Sequence, residues 1–103
     1  MIKLKANGKE YILEYDRETI TYIEKMGFSL EKYSSQPMTM YPLLFKGAFY
    51  KHHKFVKEQE KDDLYNNIKN RSKLMNALVE MVGEAYEELV KDNEEGNADW
   101  EIV

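Results

Sequence analysis

The dipeptide Asn7-Gly8 constrains this chain more than any other feature. Both central positions of a two-residue type I′ turn need positive φ, and Asn-Gly accepts that conformation at least cost. Folding the chain there sets Ala6 opposite Lys9, Lys5 opposite Glu10, Leu4 opposite Tyr11, Lys3 opposite Ile12 and Ile2 opposite Leu13. One face then carries Ile2, Leu4, Ala6, Tyr11, Leu13 and Tyr15. The other is charged apart from Ile12. Turn chemistry and face pattern agree on an N-terminal hairpin. Two strands alone are marginal in water, so the apolar face must pack on helices.

The rest of the chain supplies them. Asp16 suits an N-cap with Glu18 in the first turn, and Ile20, Ile23 and Met26 follow at helical spacing before Gly27 ends the run. One further turn is predicted over Ser29 to Tyr33, then a loop at Ser34-Ser35-Gln36-Pro37. Thr39 is expected to cap the next helix, with Pro42 as its third residue. At about 100° per residue, Tyr41, Leu44, Phe45, Ala48, Phe49, His52, Phe55 and Val56 gather into one stripe roughly 140° wide. Lys57 to Asp63 reads as charged and solvated, and Leu64, Tyr65 and Ile68 as a short helix that Asn70 ends. The longest helical pattern runs from Ser72 to Lys91, its apolar residues spread over half the circumference opposite Glu80, Glu84, Glu87 and Glu88. The fold class is therefore α+β: an N-terminal β-hairpin packed on a mainly α-helical domain of about four helices. Residues 1–92 form the domain and 93–103 a C-terminal tail.

Composition narrows the function. The chain of 103 residues has no cysteine, which removes disulfides, thiolate metal sites and cysteine nucleophiles. Neither a secretory leader nor a membrane-length apolar run is visible, so a cytoplasmic location is expected. A net charge of −4 argues against a nucleic-acid partner, which needs clustered positive charge. The glycines are scattered, no serine has a nucleophile setting, and the glutamates of the last helix repeat on a solvent face. The sequence points to no catalytic residue, no metal and no cofactor.

His52 and His53, the only histidines, attract a metal or proton-transfer reading. Neighbours on a helix point about 100° apart, whereas helical ligand pairs sit three or four residues apart. The periodicity instead puts His52 in the core stripe, half-buried, and His53 on the surface. Contact residues are more promising. Leu43 and Tyr50 share a second face beside Gly47, which either the hairpin or the first helix covers or which is a docking surface, and Val79, Tyr86 and Val90 form the outer edge of the long helix's apolar arc. That arc is wider than one core face needs, so a homo-oligomer is expected. In the tail, Trp100 and Ile102 fall on one side of an extended segment, mobile or laid against a neighbour.

Four stretches, NGKEYILEYDRETI, IEKMGF, PMTMYPLLFKGAFYKHH and EGNADWEI, resemble the tail assembly chaperone family of long-tailed phages and prophages of Gram-positive bacteria. The similarity spans nearly the whole chain, and the last two stretches are its most specific parts. It implies a non-virion assembly factor. Such a protein binds the long apolar tape measure protein and keeps it soluble until tail tube protein polymerises around it. It also implies self-association and, in many members, a longer frameshifted product that recruits tube protein. The alternative is a small non-catalytic regulatory or inhibitor domain that binds one folded partner.

Overall fold

The computed structural model describes residues 1–103. Strands β1 (Ile2–Ala6) and β2 (Lys9–Leu13) pair antiparallel in the register that the turn dictates, from Ile2 opposite Leu13 to Ala6 opposite Lys9. Asn7 and Gly8 take φ of 53° and 76°, both positive as type I′ requires. Tyr11, Leu13 and Tyr15 are buried, and Ile2, Leu4 and Ala6 pack against the same core at lower coverage.

Helix α1 (Arg17–Lys25) begins as its sequence indicates, with the Asp16 carboxylate accepting from the Thr19 N–H at 2.8 Å. It ends on Gly27 at φ 104°. There the Phe28 N–H donates to the Ile23 carbonyl and the Gly27 N–H to Glu24, the paired bonds of a Schellman motif. Phe28 is buried beneath it. The predicted extra turn is the short helix α2 (Leu30–Ser35), so the helices number five.

The central helix departs from its prediction at both ends. α3 spans Pro37–Gly47, with Pro37 in its first turn, where a missing N–H costs nothing, so Thr39 is not the cap and Pro42 is the sixth residue. Downstream, the helix stops at Gly47 and the chain folds into turns through Phe55. Ala48 and Phe49 remain fully buried, but Phe55 is 97% exposed. The apolar stripe is thus real in its first half and ends with the helix that gave it a period.

Helix α4 (Glu58–Asn67) incorporates most of the stretch expected to be a charged loop. Its first turns are tied by side-chain pairs that apolar periodicity cannot reveal, Lys61 to Glu58 and Gln59 to Asp63. Asn70, expected to end a helix, instead sits at φ 55° just before α5 (Arg71–Glu88). On α5 only Met75, Leu78 and Val82 are fully buried, while Leu74, Val79, Met81, Ala85 and Tyr86 flank that seam half-covered. Residues 91–103 form no helix or strand and are exposed throughout.

One core joins these elements. Phe45 and Phe49 meet edge-on, Phe49 meets Tyr11 of the hairpin in the same way, and Tyr65 of α4 tilts onto Phe45. The Glu14 N–H donates to the Ala48 carbonyl and the Tyr15 hydroxyl to the Leu44 carbonyl, fastening the hairpin's exit to the end of α3. No helix is long and apolar enough to cross a membrane.

Candidate protein-binding surface

α1 and α3 cross closely because Gly47 has no side chain. A Cβ at that position would lie 2.2 Å from Cγ2 of Ile23. Beside this crossing the two helices part to leave a cavity of about 300 Å³. Ile23, Met26, Pro42 and Leu43 give it apolar walls, and Tyr22 and Tyr50 line it as a stacked pair, ring centroids 4.1 Å apart and planes 14° from parallel. Lys54 lies over the Tyr50 ring at 4.8 Å. Lys46, at the cavity edge, pairs with Asp62 at 2.7 Å and Glu58 at 3.2 Å. The bond to Asp62 is the main reason its ammonium titrates above the ordinary lysine value.

Leu43 and Tyr50, predicted as neighbours on one helical face, do meet at this cavity, although Tyr50 reaches it from the turn after α3. Both are half-buried, so they offer walls rather than a flat patch. Val79 and Tyr86 are half-buried on the flank of α5, and the Tyr86 hydroxyl donates to Glu24 at 2.8 Å. Burial and then that carboxylate push the phenol up to about 12. Val90 lies beyond α5 at 85% exposure, and Trp100 is farther along the arm at 81%. The predicted residues therefore fall into three groups: cavity, α5 flank and arm.

Sequence periodicity missed Tyr22, which faces outward from α1 until Tyr50 stacks on it. It also missed Leu89, which reads as helix interior but is more than half exposed past the last turn. An aromatic next to the buried Ile23 was the available signal for Tyr22. The end of apolar spacing before Asp92 was the signal for Leu89.

The histidines exchange their predicted positions. His53 packs edge-on against Tyr11, centroids 5.4 Å apart, and its Nε2 accepts the Ile12 N–H at 2.8 Å. Burial, and then the neighbouring His52, hold its imidazole below the usual value. His52 is exposed and meets the Glu14 carboxylate at 2.8 Å. The prediction assumed helical phase through residue 56, and that phase stops at Gly47. With Lys51 at 2.9 Å as well, Glu14 has its carboxyl held below the ordinary range, Lys51 being the larger cause. These are fastenings of the hairpin to the turn after α3.

A broader groove of about 1,060 Å³ separates the hairpin from α4, with Lys5, Lys9, Lys57 and Lys69 along it and Leu4, Leu64 and Ile68 within.

Hairpin, helices and arm together define a small α+β domain with an amphipathic cavity and an unpacked acidic extension. The chain belongs to the family described as Domain of unknown function (DUF5055), which matches residues 1–103. No curated protein and no solved structure matches it.

Proposed function

We propose that this chain is a phage tail assembly chaperone that binds the tape measure protein and keeps it soluble until tail tube protein polymerises around it. The observation that carries the reading is the run of exposed apolar side chains, Leu89, Val90, Trp100, Ile102 and Val103, on an arm rich in carboxylates. The class of client comes from the resemblance borne by PMTMYPLLFKGAFYKHH and EGNADWEI. A long apolar helix exposes stripes that have no partner before the tube closes, and a chaperone for it needs apolar contact with charge facing outward. The half-covered flank of α5 at Val79 and Tyr86, continued by Leu89 and Val90, supplies the contact. Glu80, Glu84, Glu87 and Glu88, all exposed, supply the charge. Leu43 and Tyr50, recessed in the cavity, contribute less area to such a client. The reading assigns no catalytic step and no cofactor, and it places the protein in the bacterial host cytoplasm, where tails assemble.

The test is co-expression with the cognate tape measure protein, scored by how much client stays soluble. Wild type should hold it in solution over a wide range of salt, because apolar contact is barely screened. A Leu89→Asp, Val90→Asp variant should keep its circular dichroism and lose that activity. Insoluble client with wild type contradicts the function. Soluble client with the double variant contradicts the surface.

A further inference from the structure

Charge divides unevenly along this chain. Of 19 acidic side chains, five (Asp92, Glu94, Glu95, Asp99 and Glu101) lie in residues 92–103, which hold none of the 15 basic ones. Residues 1–91 are left with 14 acidic and 15 basic side chains, a net +1. The whole negative surplus therefore belongs to the arm. The arm also stands off its own body. The molecule measures 56 × 31 × 23 Å, with a radius of gyration of 15.9 Å, against about 13 Å for a compact chain of this length.

The cavity between α1 and α3 has the opposite character. Its volume of about 300 Å³ is at the lower end of ligand pockets, room for one large side chain and not for a helix. One wall is apolar and aromatic; the other carries Lys46, Lys61 and Glu58, paired with one another, and Lys54, which has no carboxylate partner. Across the Tyr22–Tyr50 stack, a shallower depression carries Arg17 and Lys25, also unpaired, against the single carboxylate of Glu18. The larger groove by the hairpin is mostly lysines and polar side chains and offers no aromatic wall beyond Tyr11.

We propose that this cavity receives Trp100 from the arm of a second copy of the chain. The indole enters against the Tyr22–Tyr50 pair, and Asp99 and Glu101 on either side of it meet Lys54, Lys25 and Arg17. An aromatic anchor in an apolar pocket with a charged rim is the usual anatomy of an interface hot spot. Arm into cavity is a heterologous contact, so it propagates head to tail into an open series or a ring. The inference goes beyond the client reading and stands without it.

Sedimentation velocity on three proteins tests it. Wild type should give a ladder of species that grows with concentration and shrinks as salt rises to about 0.5 M. Trp100→Ala, an exposed position with no bearing on the fold, and Leu43→Trp, which fills the cavity, should each weaken association at least about tenfold. The two variants mixed should recover a species that stops at the dimer, because one brings an intact arm and the other an intact cavity. Wild type that stays monomeric into the high micromolar range overturns the proposal. So does Trp100→Ala associating like wild type, or a mixture no better than its parts. If Leu43→Trp keeps native circular dichroism and full association while Trp100→Ala loses it, the arm docks elsewhere and the cavity assignment is wrong. Client solubility is scored with wild type alone and self-association with the variants, so failure of this proposal and failure of the chaperone reading appear in different measurements.

Discussion

Between Met40 and Phe49 the chain buries Met40, Leu44, Phe45 and Phe49 almost completely, whereas between Leu89 and Val103 it leaves Leu89, Val90, Trp100, Ile102 and Val103 more than half exposed. The side chains are of comparable size and hydrophobicity. Their neighbours differ. The first stretch sits on α3 and the turn behind it, with the hairpin, α1, α4 and α5 arranged around it. The second follows the last helix through Asp92-Asn93-Glu94-Glu95-Gly96, where turn-forming residues and carboxylates prevent a repeat that could build a second wall. Apolar character becomes stability only where a facing surface exists. Elsewhere it remains available to another chain.

Phenylalanine substitutions should show the largest difference between covered and exposed side chains. Phe45→Ala should cost about 3–5 kcal/mol in chemical denaturation, the range for emptying a packed aromatic site. Phe55→Ala, ten residues on and 97% exposed, should stay within about 0.5 kcal/mol. Equal effects would mean that the turn after α3 is packed rather than bare.

Gly47→Ala tests the wall that the arm lacks. Its Cβ would press on Ile23, so α1 must shift, at a cost of about 1–3 kcal/mol measured the same way.

Acidification tests the fastening of the hairpin. His53 has a lowered folded value, so the unfolded chain binds its proton more readily. The stability it confers is full above the ordinary imidazole value of 6.5 and is lost as pH falls through its lower folded value. Glu14 acts in the same direction at lower pH, losing its contribution as the solution falls below the ordinary 4.5. Thermal unfolding followed from pH 7.5 downward should show the first decline beginning near about 6.5, and His53→Ala should remove that decline while lowering stability by about 1 kcal/mol for the orphaned Ile12 N–H. A profile unchanged by the substitution would show that His53 does not link the two.

The arm should give the smallest effect on folding. Deleting residues 92–103 should move the stability of dilute protein by no more than about 0.5 kcal/mol, since these residues bury nothing. A larger loss would attach the arm to the body.

The same contrast explains which parts of the fold were legible in the sequence. The hairpin and both ends of α1 rest on residues whose local chemistry is decisive by itself, Asn7, Gly8, Asp16 and Gly27, and their register and caps follow directly. Residues 48–56 were not legible as turns, because Ala48 and Phe49 are buried on the same spacing that a continued helix would use. That coincidence also reversed the two histidines. The start of α4 was silent because ion pairs and amide bonds, not apolar period, hold it. Asn70 was ambiguous because its tolerance of left-handed φ serves equally after one helix or before the next. Of the contact residues, Leu43 and Tyr50 came together as the pattern suggested, while Tyr22 depended on a contact that only the packing of α1 on α3 creates.

Trp100 is the chain's single tryptophan, so intrinsic emission reports on the arm alone. On the proposals above, the arm's apolar side chains are kept out of their own core for the use of another chain. A dilution series from high to low micromolar, with the monomer end verified by sedimentation, measures this directly. Emission should be typical of water-exposed indole in the dilute monomer and shift to shorter wavelength as copies associate. Short-wavelength emission that persists unchanged in the proven monomer would place Trp100 in its own fold, with no indole left for another chain.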